Sequence, residues 1–202
     1  FMGYWVLNHL PLKDFRPYKV GNNIQKGMEV PANAEKSVVE MIFVYKVKGV
    51  ATEFTEKDLM DGKIPSDAVF VERKDKVIKE GYVPPIHDFA LELDGTDYKD
   101  ALLQEPKLII FTAYDLDKAD ANGLQKLEKI NLDAKAYKVV ALTASKDKTA
   151  EVKKKYGQTF DYYFCDAIAI KTIERANPSI IVIEKGTIKQ KLHHNDSDQL
   201  KL

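Results

Sequence analysis

The feature that most constrains the fold of this chain is an alternation of short apolar runs with helical segments from Phe89 onward. Leu108–Ala113 is almost continuously apolar, as in a strand buried on both faces, whereas Leu124, Leu127 and Ile130 recur at spacing three and predict one apolar helix face. The order β–α–β–α–β–α–β–β predicts an α/β fold with a largely parallel sheet and a closing antiparallel hairpin. The further predicted elements are helices at Ala119–Leu132, Asp147–Tyr156 and Ala167–Ala176, and strands at Tyr137–Thr143, Phe160–Cys165, Ile180–Ile183 and Thr187–Leu192.

Two different regions precede this alternation. Residues 1–36 are punctuated by proline and glycine and predict an irregular arm with several aromatic side chains. Residues 37–81 are rich in β-formers and predict a small β module, with separate strand pieces at Ala68–Glu72 and Lys76–Glu80. Pro84–Pro85 can continue neither a helix nor a central strand. We therefore predict an N-terminal arm and small β-rich module at 1–83, and a second domain at 84–202.

The charge balance argues against a nucleic-acid partner. Lys+Arg and Asp+Glu both number 31, so the net charge is zero, whereas nucleic-acid binders carry a basic excess that neutralises phosphates. The one compact basic run, Lys153–Lys155, is interpreted as the solvated face of a helix. The glycines are scattered, with no phosphate-binding loop, so we predict no nucleotide cofactor.

No stretch approaches the 18 or more consecutive apolar residues of a membrane span, and no signal peptide is recognisable. The chain begins at Phe1 without an initiator Met, which is compatible with a piece of a longer gene product. We expect the polar tail from His193 onward to fray.

Cys165 is the single cysteine, which excludes an intramolecular disulfide. It ends a predicted strand and precedes Asp166, whose carboxylate would raise the thiol pKa. The favoured interpretation is a buried, inert residue. A catalytic thiol is the alternative.

Three residues near the C-terminus have the chemistry of metal ligands: His193, His194 and Asp196. Adjacent side chains on a strand point to opposite faces, however, so we interpret the histidines as surface residues and predict no metal. His87 follows Pro84–Pro85 and has no nucleophilic partner that the sequence can place.

The closing segment Asn177–Ile188 reads NPSIIVIEKGTI, with a proline before an apolar strand and a Lys-Gly turn before the last strand. It resembles the closing segment of thioredoxin-like proteins, in which that proline is usually cis. Pro85–Phe111 also resembles the opening of periplasmic thioredoxin-like reductases. The resemblance implies a thioredoxin-like three-layer α/β sandwich, with backbone groups beside the proline free to pair with a substrate strand.

In active members of that class a Cys-x-x-Cys pair follows the first buried strand, where a helix N-terminus lowers the thiol pKa. The matching stretch here, Tyr114–Ala119, contains no cysteine. We interpret Asp115 and Asp117 as helix caps, with a catalytic carboxylate pair as the lesser alternative. The predicted site is a binding groove formed by Asn177, Pro178, Tyr114 and Asp115, without a catalytic residue.

A resemblance over most of the chain is carried by NHLPLKDFRPYKVGNNI, GYVPPIHDF, YDLDKA, ALTAS and KTIERANP. These motifs resemble the extramembrane C-terminal region of bacterial DoxX-family membrane proteins. The resemblance implies a soluble region on the periplasmic side of the inner membrane, attached to the membrane through a segment upstream of Phe1. No catalytic motif of the family falls on this sequence.

Three functions remain open from the sequence. The favoured one is a non-catalytic binding module that takes a peptide or protein partner near Pro178. The alternative is a one-cysteine redox enzyme that handles peroxide or a mixed disulfide with Cys165, which requires an exposed thiol in electropositive surroundings. The third is a structural spacer.

Overall fold

The computed structural model describes residues 8–11 and 13–202. These residues form two compact units, one made of residues up to Glu29 together with Pro84–Leu202, the other of Val30–Val83. One boundary between the two units falls between Val83 and Pro84. The arm differs from its predicted grouping, because its described residues up to Glu29 belong to the same unit as residues 84–202, whereas residues 30–36 belong to the smaller unit.

The larger unit is built on a seven-stranded mixed sheet. In spatial order its strands are β10 (Thr187–His193), β9 (Ser179–Glu184), β6 (Leu108–Ala113), β7 (Lys138–Thr143), β8 (Asp161–Phe164), β4 (Glu92–Leu93) and β5 (Thr96–Asp97). Only β6, β7 and β8 run parallel, and β9 lies antiparallel to β6. The closing hairpin of β9 and β10 therefore adds antiparallel, as predicted, and the short hairpin of β4 and β5 extends the β8 edge.

Helices cover both faces of this sheet. The helices of the unit are α1 (Ile24–Met28), α3 (Lys99–Leu103), α4 (Ala121–Asp133), α5 (Thr149–Tyr156) and α6 (Ala167–Ile173), with 3₁₀ turns at Lys146–Lys148 and His194–Gln199. Alternate residues of β6 enter two cores: Leu108 and Ile110 pack in one, Ile109 and Phe111 in the other. The order of elements and the three layers are those of a thioredoxin-like sandwich, as the sequence predicted.

The arm protects the outer edge of β10. The N–H of Gly21 donates to the carbonyl of Ile188 (2.8 Å), and the N–H of Ile188 donates to the carbonyl of Asn22 (2.9 Å). Tyr18 and Ile24 are buried in the core on one face of the sheet. An uncovered strand edge is a template for unwanted pairing, so this contact explains why the arm folds with residues 84–202.

The smaller unit is a three-stranded antiparallel sheet in the order β2 (Val50–Thr55), β1 (Val38–Val47), β3 (Val69–Lys79), with helix α2 at Glu56–Met60. Thr55 and Asp58 form a capping box at the start of α2. The two predicted strand pieces at 68–72 and 76–80 are one continuous strand. The charges between them do not interrupt it, because every residue of β3 is exposed.

Among the described residues, no helix is long and apolar enough to cross a bilayer.

Candidate functional site

The segment after β6 occupies the position where thioredoxin-like enzymes carry their cysteines, and here it forms a turn. The Asp115 carboxylate accepts hydrogen bonds from the backbone N–H groups of Asp117 (3.2 Å) and Lys118 (3.3 Å), and from Lys118 Nζ (2.7 Å). The Lys118 ammonium lowers the pKa of this carboxyl. Asp115 therefore stabilises a turn as a carboxylate anion.

The predicted helix caps at Asp115 and Asp117 are wrong. Helix α4 begins at Ala121, and its N-cap is Asp120, whose carboxylate accepts from the N–H of Gly123 at 2.7 Å. The intervening turn moves the helix start two residues beyond the predicted Ala119. Asp117 lies on the surface, 3.4 Å from Lys148 Nζ.

The loop before β9 meets this turn directly. The Asn177–Pro178 bond is cis, as predicted. Asn177 Nδ2 donates to the Asp115 carbonyl at 2.7 Å, and the Asn177 carbonyl accepts from the Asp120 N–H at 2.9 Å. The fold thus brings Asp115 and Asn177 together, but it uses the Asn177 carbonyl internally and does not leave it for a substrate strand.

A cleft of about 790 Å³ lies between the arm and this loop. We call it the arm cleft. Two of the four predicted groove residues, Tyr114 and Asn177, line it. The remaining lining, which the sequence did not predict, is Asn8, His9, Leu10, Pro11, Lys13, Asp14, Phe15, Arg16, Asp120, Glu174, Arg175, Ala176, His193, His194 and Asn195.

Four charged side chains fix the wall of the arm cleft. Arg16 donates to both oxygens of Glu174 (3.3 and 3.0 Å) and, through Nε, to Asp14 (2.8 Å). Lys191 Nζ lies 2.6 Å from Asp14 Oδ2 and 3.2 Å from Glu174 Oε2. The side chains of Glu174 and Lys191 are only 2% and 4% exposed, so removing one partner would leave a buried charge uncompensated. These four residues form the arm clamp.

The arm clamp also perturbs ionisation. Partial burial would raise the pKa of Asp14, but hydrogen bonds from Arg16 and Lys191 outweigh burial and lower that pKa to about 2. The carboxylate therefore stays charged at any physiological pH. The sequence offered no signal for this network, since Asp14 and Lys191 lie 177 positions apart.

The C-terminal tail is packed, which corrects the predicted frayed tail and surface histidines. His193 and His194 are both buried, with ring centroids 4.2 Å apart. His193 Nδ1 accepts from the Asn195 N–H (3.1 Å) and so caps a 3₁₀ turn, which redirects the chain and removes the strand geometry that would separate the two rings. Burial, with a smaller contribution from His193, lowers the pKa of His194 to about 4.

The third candidate metal ligand is paired elsewhere. Asp196 Oδ1 lies 2.7 Å from His9 Nδ1 in the arm. Within residues 8–11 and 13–202, no group of three or more His, Cys, Asp and Glu side chains is arranged to hold a metal ion. His87 is exposed, and its Nδ1 lies 3.1 Å from the Pro84 carbonyl, outside the arm cleft.

Two polar atoms at the arm cleft are buried and lack a hydrogen-bond partner in the described part of the chain: Asn177 Oδ1 and His194 Nδ1. An unpaired buried polar atom costs roughly 1–3 kcal/mol. Because Asn177 Nδ2 faces a carbonyl, Oδ1 is assigned as the free acceptor of that amide. Both residues line the arm cleft, whereas these two atoms themselves are shielded from solvent.

Tyr114, together with Arg16 and Arg175, lines both the arm cleft and a second hollow of about 550 Å³. That hollow is lined by Arg16, Tyr114, Ile168, Lys171, Thr172 and Arg175. Lys171 Nζ lies 4.6 Å from the centroid of the Tyr114 ring, a cation–π contact, and the Ile168 side chain is 73% exposed. Tyr114 thus presents an aromatic surface to both hollows.

Cys165 is only 1% exposed and lies in the core. Burial raises the pKa of its thiol, and the nearby carboxylates of Asp88 and Asp166 add to that rise. Its Sγ lies 3.8 Å from the Asp88 carbonyl. The one-cysteine alternative required an exposed thiol in electropositive surroundings, and the structure provides neither.

Comparison with known proteins gives two kinds of match. A family model described as a domain of unknown function (DUF8463) matches residues 39–80, which lie in the smaller unit. No curated protein matches the chain.

Several solved structures are similar to part of the chain. A secreted disulfide oxidoreductase of Mycobacterium tuberculosis, homologous to E. coli DsbE, is 16% identical over 52% of this chain and 81% of its own, with a TM-score of 0.42. An uncharacterized conserved protein of Geobacillus kaustophilus is 14% identical over 52% of this chain and 65% of its own (TM-score 0.41). A thiol:disulfide interchange protein from Bacteroides sp. is 10% identical over 55% and 82% (TM-score 0.39).

Proposed function

We propose that this chain is a non-catalytic binding module on a thioredoxin-like fold, which holds a peptide or protein segment in the arm cleft. The observation that carries the proposal is a cleft of about 790 Å³ that is lined by both the arm and the loop before β9, with Phe15 and Tyr114 among its lining residues.

A polypeptide is the ligand class that suits this wall. Every non-proline residue brings one N–H donor and one carbonyl acceptor. Such groups can pair with polar side chains of the lining, which include Arg175 and Asn195. The His194 ring is neutral near pH 7 because its pKa is lowered to about 4, and a neutral imidazole has one donor and one acceptor nitrogen.

Apolar side chains of such a peptide have surfaces to pack against. Phe15 is 89% exposed in the arm, and Tyr114 lines both hollows. Aromatic residues contribute strongly to binding where they fill pockets. Where active thioredoxin-like proteins carry a cysteine pair, this chain has the aromatic side chain of Tyr114 and a turn.

The test begins with panning a random dodecapeptide library on the full 202-residue chain, followed by fluorescence anisotropy with the enriched peptides. Tyr114→Leu should weaken binding by about tenfold or more, because it removes an aromatic contact in the cleft wall. Tyr137→Leu is the matched control, since Tyr137 makes a similar cation–π contact with Lys107 (5.0 Å) outside the cleft. Failure to enrich any peptide, or equal affinity in the two variants, would contradict the proposal.

We further propose that the module belongs to a DoxX-like membrane protein and faces the periplasm. The motifs quoted above support this placement, among them the run from Asn8 to Ile24. Alkaline phosphatase fused to the C-terminus of the parent gene product should be active in cells. If the phosphatase fusion is inactive, and a reporter that works only in the cytoplasm is active when fused at the same C-terminus, then the module lies on the cytoplasmic side of the membrane.

A further inference from the structure

The outer edge of strand β3 is open along its whole length in the described structure. β3 is the outermost strand of its sheet and pairs only with β1. All eleven of its residues are exposed, and natural proteins rarely leave so long an edge uncovered. Its large apolar residues stand at the two ends and are each more than half exposed: Val69 65%, Phe70 51%, Val71 52%, Val77 55% and Ile78 53%.

We propose that β3 pairs antiparallel with β3 of a second copy of this chain, about a two-fold axis through Lys74. The reason is that the strand, VFVERKDKVIK, is complementary to itself when reversed. In this register Glu72 of each copy lies opposite Lys76 of the other, and Arg73 lies opposite Asp75. Opposite charges on directly facing residues stabilise a strand pair.

The apolar ends obey the same symmetry. With the axis at Lys74, Val71 and Phe70 lie at the level of Val77 and Ile78 of the second copy, although bulges at Val71 and Ile78 interrupt the residue-by-residue pairing there. The contact is therefore isologous. The N-terminal apolar end of β3 in one copy lies beside the C-terminal apolar end in the other, and the two charged centres lie beside each other. The result is one continuous six-stranded antiparallel sheet, in which both β3 edges are covered.

Neighbouring registers are disfavoured. A shift of the axis by half a residue is excluded, because it would set side chains of opposite faces directly across from each other. An axis at Asp75 places Lys74 opposite Lys76, and an axis at Arg73 places Val71 opposite Asp75 and Phe70 opposite Lys76. Lys74 also faces itself in the proposed register, but its Nζ lies 3.0 Å from Glu72 Oε1 in its own chain.

The backbone allows the central pairing. The register of β3 against β1 shifts at two points, between Val38 and Val39 and between Val44 and Tyr45. Between these shifts, Glu72–Val77 pairs without interruption. The five residues that would carry the central contact, 72–76, lie inside this regular stretch, whereas bulges at the ends tend to twist an edge strand out of line.

The proposal is tested with two charge reversals on the full chain, Arg73→Asp and Asp75→Arg, by sedimentation equilibrium over a range of concentrations. The unchanged chain should show a concentration-dependent mass approaching twice 22.9 kDa. Each variant alone places like charges opposite each other at two points and should raise the dissociation constant by about tenfold or more. An equimolar mixture of the two variants should restore the dimer, because each reversed charge then faces its complement.

Restoration by mixing also shows that both variants are folded. Lys57→Glu, an exposed charge reversal on helix α2 of the same unit, is the matched control and should leave the dimer unchanged. As a check of register, Lys74→Cys should form an interchain disulfide under mild oxidation and Lys76→Cys should not, while the native Cys165 is buried. A chain that stays monomeric, leaving the edge for another protein, or a dimer indifferent to both reversals, would overturn the proposal.

Discussion

At the scale of single residues, the arm clamp shows how a buried charge is tolerated. Glu174 accepts from Arg16 and from Lys191, and Lys191 Nζ also donates to the Ile173 carbonyl at 2.8 Å. Two acids and two bases neutralise one another, which is the condition for keeping ions out of water. The clamp positions arm residues that line the arm cleft, so the stability of the arm and the shape of the site are linked.

Asp14 makes the contribution of the arm clamp to stability depend on pH in the acid range. Its pKa is lowered from 3.8 to about 2 in the folded chain, so its contribution to stability is complete above the unfolded value and is lost as the pH falls through the folded value. The free energy of unfolding should therefore decrease between about pH 4 and pH 2. Asp14→Asn should remove part of that slope in urea titrations followed by circular dichroism. An unchanged slope would mean that the clamp is not formed in solution.

At the scale of elements, the first turn of α4 is held against both the Asn177–Pro178 loop and the tail. A Cβ added to Gly123 would lie 2.8 Å from Pro178 Cδ and 2.9 Å from His194 Cγ. Real Cβ contacts are almost never that short. Gly123 is thus the residue that allows three separate segments to meet beside the arm cleft.

Gly123→Ala should destabilise the chain by about 1–3 kcal/mol, although alanine is the better helix former, because two rings must move to make room. Asn122→Ala, at the exposed neighbouring position in the same helix, should change stability by less than about 0.5 kcal/mol. Urea midpoints measure both variants. A stabilising Gly123→Ala would show that the three segments are not in contact.

The same elements show how far sequence reasoning reaches. The strands β6, β7 and β9 were predictable because each is an apolar run of strand length, and the cis proline from its place before β9. The packing of the tail was not predictable, since His193 and His194 are polar residues and only the structure shows that both are buried, with His194 against Gly123 of α4. That Tyr114 and Asn177 line one cleft was predictable because both flank strands of the sheet. The contribution of the arm was not, because it depends on contacts between residues at opposite ends of the chain.

At the scale of the whole molecule, each of the two units has its own role in our account. The larger is a thioredoxin-like sandwich whose arm closes one sheet edge and whose single thiol is buried. The smaller keeps one sheet edge open over eleven residues. In our account the first unit binds a peptide and the second joins two copies of the chain, and neither role requires thiol chemistry.

The central claim, that this thioredoxin-like fold works without a reactive thiol, is tested most directly by the alkylation rate of Cys165. The rate with iodoacetamide is measured against pH on the folded chain and again in urea. Because burial raises the pKa of Cys165, alkylation of the folded chain should be negligible at neutral pH, and one thiol should react on unfolding. Fast alkylation of the folded chain that persists down to about pH 6 would show a stabilised thiolate and contradict the account.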